Sequence, residues 1–218
     1  MTKNIVIITS VIYFDLNKIL SYSKIRSVFS TKERISQTIK TIDSARKYIP
    51  NSHIVLIEMG KSEVGLDQLV SKSDEYIFLG SNWLVRLAVD SKYKGLGEAV
   101  GLINAAKTIH SKLAKNYFKI SGRYFLNQDF RISEWTKKNK NKEINAKVYG
   151  NTLSTRLYSF SSADWQNWVS GLYRSLPKLL LGYSIEQTLY NYYYPRINQV
   201  DNIGVEGHIS VNGSLIKE

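Results

Sequence analysis

The sequence predicts an α/β fold, with helices on both faces of a mixed, mostly parallel central sheet. Three observations carry this expectation. The chain opens on a continuous β-branched run, Asn4-Ile5-Val6-Ile7-Ile8-Thr9-Ser10, the pattern of a strand buried on both faces. Ser30-Thr31-Lys32-Glu33 then has capping-box spacing, and Ile35, Ile39, Ile42 and Ala45 recur at helical intervals before Pro50. His53-Ile54-Val55-Leu56-Ile57-Glu58 follows as a second buried strand, which completes a strand–helix–strand unit.

The remaining elements extend the pattern. Glu75 to Gly80 reads as a short strand, and segment 81–94, with Trp83 and Tyr93, reads as irregular. Gly95-Leu96-Gly97-Glu98 opens a helix whose apolar face is Ala99, Ile103, Ala106, Ile109 and Leu113. Asn116 to Ile120 is a strand ending at Ser121-Gly122-Arg123. The order β-α-β-β-α-β fits a three-layer sheet of the nucleotide-binding kind. In the second half, Lys147 to Tyr149 and Thr155 to Phe160 read as strands. Ser161 or Ser162 caps a helix carrying Trp165, Trp168, Val169, Leu172 and Leu176, with Pro177 after it. Ser184-Ile185-Glu186-Gln187 repeats the capping-box spacing and starts a helix that runs to Tyr194, before Pro195. Ile203 to Val211 is a last strand, interrupted by Gly204 and Gly207. With no internal repeat and no long linker, residues 1–218 read as one domain.

Composition narrows the function. With 218 residues, 43% of them hydrophobic, the chain can bury a sizeable core. It has no cysteine, which excludes a disulfide scaffold, a thiolate zinc site and a cysteine nucleophile, and fits a reducing compartment. The best apolar run, Ile5 to Phe14, is interrupted by Thr9 and Ser10 and falls short of a membrane span. The N-terminus lacks a signal-peptide pattern, so a cytoplasmic protein is expected. Thirty Lys and Arg against 18 Asp and Glu give a net charge of +12, which predicts an anionic partner: nucleic acid, an acidic membrane surface or a phosphorylated small molecule. Lys137, Lys138, Lys140, Lys142 and Lys147 cluster and read as a solvated loop, with attraction to a membrane surface as the alternative.

His53, His110 and His208 are scattered without metal-ligand spacing. His208, between Gly207 and a strand, is the one placed to reach a cleft or to serve structure. The chain has no GxSxG elbow, no P-loop and no GxGxxG after the first strand. Lys94 precedes a helix whose first amides are free, so Lys94 and Gly95 form a candidate anion site; an ordinary glycine-rich helix start is the alternative. In Tyr117-Phe118-Lys119-Ile120-Ser121-Gly122-Arg123-Tyr124-Phe125, alternation sets Lys119 opposite Phe118 and Ile120. A lysine inside a buried strand needs water, a carboxylate or a phosphate. Arg123 falls at the carboxyl end of the strand, where open α/β sheets bind ligands, and a salt bridge to Glu98 or Glu58 is the structural alternative.

The opening strand, the Ser30–Arg34 helix start, Tyr93-Lys94-Gly95-Leu96-Gly97-Glu98 and Lys119-Ile120-Ser121-Gly122-Arg123-Tyr124 together resemble GT-A-type glycosyltransferases. The likeness is to the small enzymes of surface-glycan synthesis in bacteria and large algal viruses, among them chlorella-virus capsid-glycan enzymes. The resemblance implies a GT-A-like domain, residues 1–125 holding a nucleotide-sugar and 126–218 facing the acceptor. It implies hexosyl or deoxyhexosyl transfer from a UDP-sugar to a glycan or glycolipid hydroxyl, in polysaccharide, lipopolysaccharide or capsid-glycan synthesis, with peripheral membrane contact and no nucleic acid. The expected donor and diphosphate residues are Ser10, Arg26, Glu58, Lys94, Gly95, Glu98, Lys119, Ser121, Arg123 and His208.

One departure bears on mechanism. GT-A enzymes usually carry an Asp-x-Asp that holds Mn²⁺ or Mg²⁺, and this chain has none; Ser121-Gly122-Arg123 stands where it is expected. No metal ligand is therefore assigned, and Lys94, Lys119 and Arg123 are expected to neutralise the leaving diphosphate. Glu186 is the first candidate for the base, Asp164 the second and Glu206, beside His208, the third. Tyr190, Tyr192, Tyr193, Tyr194, Trp165 and Trp168 are candidates for stacking on acceptor sugars or for core packing. The competing readings are a non-catalytic basic nucleic-acid-binding protein, which lacks the usual recognition motifs here, and a nucleotidyltransferase, which needs carboxylates clustered on a metal.

Overall fold

The computed structural model describes residues 4–15, 17–110, 114–137 and 139–218. Leu113, Lys138 and the side chain of His110 lie outside the described residues. A seven-stranded sheet forms the middle layer. Its strands are β1 (Asn4–Ser10), β2 (Ser52–Glu58), β3 (Glu75–Phe78), β4 (Asn116–Ser121), β6 (Ile144–Tyr149), β7 (Thr152–Ser161) and β8 (Ile197–Gln199). Their order is β3-β2-β1-β4-β7-β6-β8. The β1–β2, β1–β4, β2–β3 and β6–β8 pairs are parallel, whereas β7 runs antiparallel to β4 and β6. A three-stranded sheet adds β5 (Tyr124–Leu126), β9 (Val205–His208) and β10 (Leu215–Lys217).

Strand alternation builds the two cores. Ile5 and Ile7 of β1 enter one cluster with helices α3 (Trp83–Asp90), α4 (Lys94–His110), α6 (Trp165–Leu180) and α7 (Ile185–Tyr193). Val6 and Ile8 enter the other, with α1 (Thr31–Tyr48) and α2 (Asp67–Lys72). This two-sided burial explains the unbroken apolar run of β1. The capping box of α1 forms as expected: Ser30 accepts from the Glu33 amide at 3.3 Å, and Glu33 accepts from the Ser30 amide at 2.7 Å. Ser184 likewise caps α7 through the Gln187 amide at 3.1 Å.

Three expectations need correction, and four short elements were not expected. Segment 81–94 is not irregular: Asn82 caps α3 by accepting from the Leu84 and Val85 amides. Pro177 does not end its helix but lies inside the last part of α6, where Leu179 is still fully buried. Ile203 to Val211 is not one strand; β9 stops at His208 and returns as β10 through a turn at Gly213, which has a positive φ of 71°. The short elements α2, β5, β8 and α5 (Ile132–Trp135) have no expected counterpart. The aromatic cluster is mostly core. Trp165, Trp168 and Tyr193 are buried, with Tyr190 and Tyr192 packed against them, and Tyr194 is exposed.

Candidate active site

The parallel strands β1 and β4 end side by side, and Gly122 donates to the Thr9 carbonyl at 2.9 Å just beyond them. Two connected cavities open there, of about 820 and 1240 Å³ counted to their mouths. Lys94, Glu98, Ser121 and Arg123 line both. The inner cavity reaches Ser10, Arg26 and Arg34; the outer one reaches Thr155, Arg156 and Glu186. This is the strand-end location expected for a ligand in an open α/β sheet.

Arg123 is the central cation. Its Nη1 is buried and has no hydrogen-bond partner among the described residues. Its guanidinium stands 5.6 Å from the centre of the Tyr124 ring, which Arg156 also approaches at 5.7 Å. Lys94, at the first position of α4, feels Arg123 most strongly, and burial adds to the effect; together they lower its pKa from 10.5 to about 7. Although protein atoms crowd around it, more than a third of Lys94 remains accessible, so cleft water weakens this shift. Two cations held together in this way favour an anion that can bridge them.

Gly95 and Gly97 have a packing role. A Cβ on Gly95 would lie 2.9 Å from Ile185 Cβ, and one on Gly97 would lie 2.8 Å from Val89 Cα. The two glycines let the start of α4 meet α7 and α3 closely, and so bring Lys94, Glu98 and Glu186 to one cleft.

Several expected residues have other work. Lys119 does not reach the cleft: it is fully buried, and its Nζ donates to Glu98 Oε1, to Ser121 Oγ at 2.9 Å and to the Thr155 carbonyl at 2.8 Å. Its three donors are used, which leaves none for a phosphate. Arg26 lines the inner cavity, but its guanidinium laces the 17–29 loop to the end of α3 through the carbonyls of Lys18, Val89 and Ser91. Glu58 lies fully buried beneath the cavity. It accepts from Ser10 Oγ and from the amides of Ile12 at 2.8 Å and Gly60 at 2.6 Å. Burial raises its pKa against those hydrogen bonds. Ser10 and Glu58 thus organise the loops after β1 and β2.

His208 and Asp164 do not join the cleft. His208 Nδ1 meets the Gly213 carbonyl at 3.0 Å, and its ring stands edge-on to Phe29. Glu206, next to it on β9, lines neither cavity. Asp164 accepts from Ser161 Oγ at 2.5 Å in a separate hollow beside Asn116, at the opposite end of β4. The reversal of β7 carries the chain to that far edge. Glu186 does line the outer cavity, and accepts from Thr155 Oγ1 at 2.9 Å.

Sequence reasoning missed the cleft roles of Arg34, Thr155, Arg156, Tyr22, Tyr149 and Tyr183. Arg34 is buried and donates to the Val11 carbonyl and Ser27 Oγ; burial and then Arg123 lower its pKa. Its spacing from Thr38 and Thr41, polar and buried on the same helix, was a readable signal. The other five lie on segments that only the fold brings together.

No family model matches the chain, and neither does any curated protein sequence. Solved structures do match its fold. A putative nucleotide-diphospho-sugar transferase from Desulfovibrio desulfuricans aligns over 92% of this chain and 80% of its own, with a TM-score of 0.54 and 6% identity. The likeness is one of fold: a mostly parallel central sheet flanked by helices. CTP:phosphocholine cytidylyltransferase from Streptococcus pneumoniae shares this GT-A-like fold over 97% of this chain and 96% of its own, with a TM-score of 0.50 and 12% identity. A glycosyltransferase involved in the glycosylation of the major capsid of PBCV-1 aligns over 91% and 81%, with a TM-score of 0.48 and 11% identity.

The GT-A-like fold implies a divalent metal at the end of β4, but the donor set there does not suit one. Ser121-Gly122-Arg123 offers a hydroxyl and a cation, the Glu98 carboxylate beside it is paired with Lys119, and Mg²⁺ and Mn²⁺ favour free carboxylate oxygens. Among the described residues, no three His, Asp or Glu side chains group as a metal site. No helix among them is long and apolar enough to cross a membrane.

Proposed function

We propose that this protein is a glycosyltransferase that moves a sugar from a nucleotide-diphosphate donor, with UDP-sugars favoured, to a glycan or glycolipid hydroxyl. The reading extends to surface polysaccharide, lipopolysaccharide or capsid-glycan synthesis. The observation that carries it is the buried, unpartnered Nη1 of Arg123 beside Lys94, at the shared wall of the two cavities. Such a pair of cations suits a diphosphate. Negative charge grows on the β-phosphate as the sugar–oxygen bond breaks, and cations already in place stabilise that charge without reorganising.

Glu186 is the proposed base. Thr155 holds one of its carboxylate oxygens, and the carboxylate takes the acceptor hydroxyl's proton as that oxygen bonds to the sugar. The nucleoside diphosphate leaves toward the inner cavity. The acceptor lies in the outer cavity, where Tyr22, Tyr149 and Tyr183 are 63%, 40% and 50% exposed. Their faces suit the C–H surfaces of pyranose rings. Exposed Ile19, Ile25, Leu180 and Leu181, with the net charge of +12, support contact with an anionic membrane that carries a glycolipid acceptor.

A thermal-shift panel tests the reading, with nucleoside diphosphates, their sugars, nucleoside triphosphates and random oligonucleotides in EDTA or Mn²⁺. Diphosphates and nucleotide-sugars should raise Tm in EDTA. A rise that requires Mn²⁺ removes the metal-independent part, and no rise with any nucleotide removes the activity. The cytidylyltransferase neighbour favours nucleotidyl transfer as a second reading, which predicts pyrophosphate release from a triphosphate. Oligonucleotide binding that weakens steeply with salt would favour the nucleic-acid alternative.

A further inference from the structure

Lys119 and Glu98 form an unusual pair. The lysine is 0% exposed, while the Glu98 side chain keeps 18% of its surface and lines both cavities. A buried ion pair is a weak source of stability, because desolvating both charges offsets their attraction. Its effect on placement is larger. Lys119 enters from the sheet and also fastens Ser121 and Thr155, so the Glu98 carboxylate is fixed against the end of β4.

Lys94 and Glu98 are four residues apart on α4, on one face of the helix. A carboxylate one turn from a diphosphate site would repel the ligand, and a lysine directly behind it cancels that repulsion. The neutralised carboxylate still accepts hydrogen bonds and donates none. The groups next to a bound diphosphate that donate are the hydroxyls of its two sugars, the ribose on one side and the transferred sugar on the other, and only the second is absent from UDP.

We infer that Glu98 accepts hydrogen bonds from the hydroxyls of the transferred sugar and so selects the donor, with Lys119 as the positioning residue that anchors and neutralises it. This inference rests on the proposed glycosyltransferase reading. Isothermal titration in EDTA with UDP, UDP-glucose, UDP-galactose and UDP-N-acetylglucosamine tests it. The wild type should distinguish the three sugars. Glu98→Gln leaves the Lys119 charge unpaired, so UDP affinity should hold or rise, while the spread among the sugars should compress by about tenfold or more. Lys119→Met should weaken UDP binding, and adding Glu98→Gln to it should recover that binding, because the unneutralised anion is gone. A lysine that serves folding alone would give no such recovery.

The inference is overturned if Glu98→Gln leaves the sugar spread unchanged, if it abolishes UDP binding, or if the wild type binds all three sugars alike. Should Lys119→Met fail to fold, Glu98→Gln alone decides. A wild type that binds neither UDP nor any nucleotide-sugar, in EDTA or with Mn²⁺ added, defeats the glycosyltransferase reading itself, a result distinct from retained UDP binding without sugar discrimination.

Discussion

Lys94 stands beside Arg123, and that neighbour, with burial, lowers its pKa from 10.5 to about 7. A diphosphate between the two would reverse the effect, so binding should take up a proton. A site with a pKa of about 7 is about 1% protonated at about pH 9, and restoring the ordinary lysine value makes it about 97% protonated. Uptake then approaches one proton per ligand. Cleft water reduces the shift, and half the shift still gives about 0.6 proton at about pH 9. At about pH 6 the free site is already charged, and uptake falls to about 0.1. The assay is titration of the nucleoside diphosphate that most raises Tm, in two buffers of different ionisation enthalpy. Lys94→Gln should abolish the buffer dependence at about pH 9. The same linkage acts on the free protein. The folded pKa lies below the unfolded value, so the unfolded chain holds more protons between them, and the Lys94 contribution to stability rises with pH from about 7 to 10.5. Heats that do not depend on buffer at about pH 9 would refute the placement of the anion at Lys94.

Three further outcomes are expected. Glu186→Gln should lower turnover by roughly 10²–10⁴ with donor affinity unchanged, and Asp164→Asn should leave both intact; an effect at Asp164 alone in steady-state kinetics would reverse the assignment. Glu58→Ala strips the acceptor from Ser10 and the Ile12 and Gly60 amides and should cost about 3 kcal/mol or more in urea unfolding. Glu58→Gln can keep those bonds and should flatten the pH dependence. The raised folded pKa of Glu58 means that its stability contribution is present at low pH and falls as pH rises through the folded value; equal losses in the two variants would contradict this. Gly95→Ala drives a Cβ to 2.9 Å from Ile185 and should destabilise by about 1–3 kcal/mol, which unfolding curves superimposable on the wild type would contradict.

The sequence made some parts legible because they rest on local chemistry. The two-sided burial of β1 shows in its β-branched run, and the start of α1 shows in the Ser30–Glu33 box. A carboxylate partner was one of the three that a lysine in a buried strand could take, and Lys119 has it in Glu98 rather than reaching a diphosphate. Other parts depend on the direction of strands, which residues do not announce. Asp164 and Glu186 look alike in sequence, each near a helix start. Only the antiparallel course of β7 sends Asp164 to the far edge, while α7 begins at the cleft. His208 fails for a related reason, because its strand turns back at Gly213 and encloses the imidazole. The start of α4 read as an anion site at Lys94 and Gly95 or as an ordinary glycine-rich helix start, and the close helix contacts that Gly95 and Gly97 permit show only in the fold. The aromatic residues that face the cleft come from loops and strand ends far apart in the chain, whereas the conspicuous cluster on α6 and α7 fills the core.

A crystal structure of the protein with a nucleoside diphosphate, grown in EDTA, tests the central claim most directly. The diphosphate oxygens should lie within hydrogen-bonding distance of Arg123 Nη1 and Lys94 Nζ, with the sugar side of the β-phosphate turned toward Glu98. A diphosphate seated away from both cations, or bound only once Mn²⁺ is supplied and then through that ion, would contradict the account.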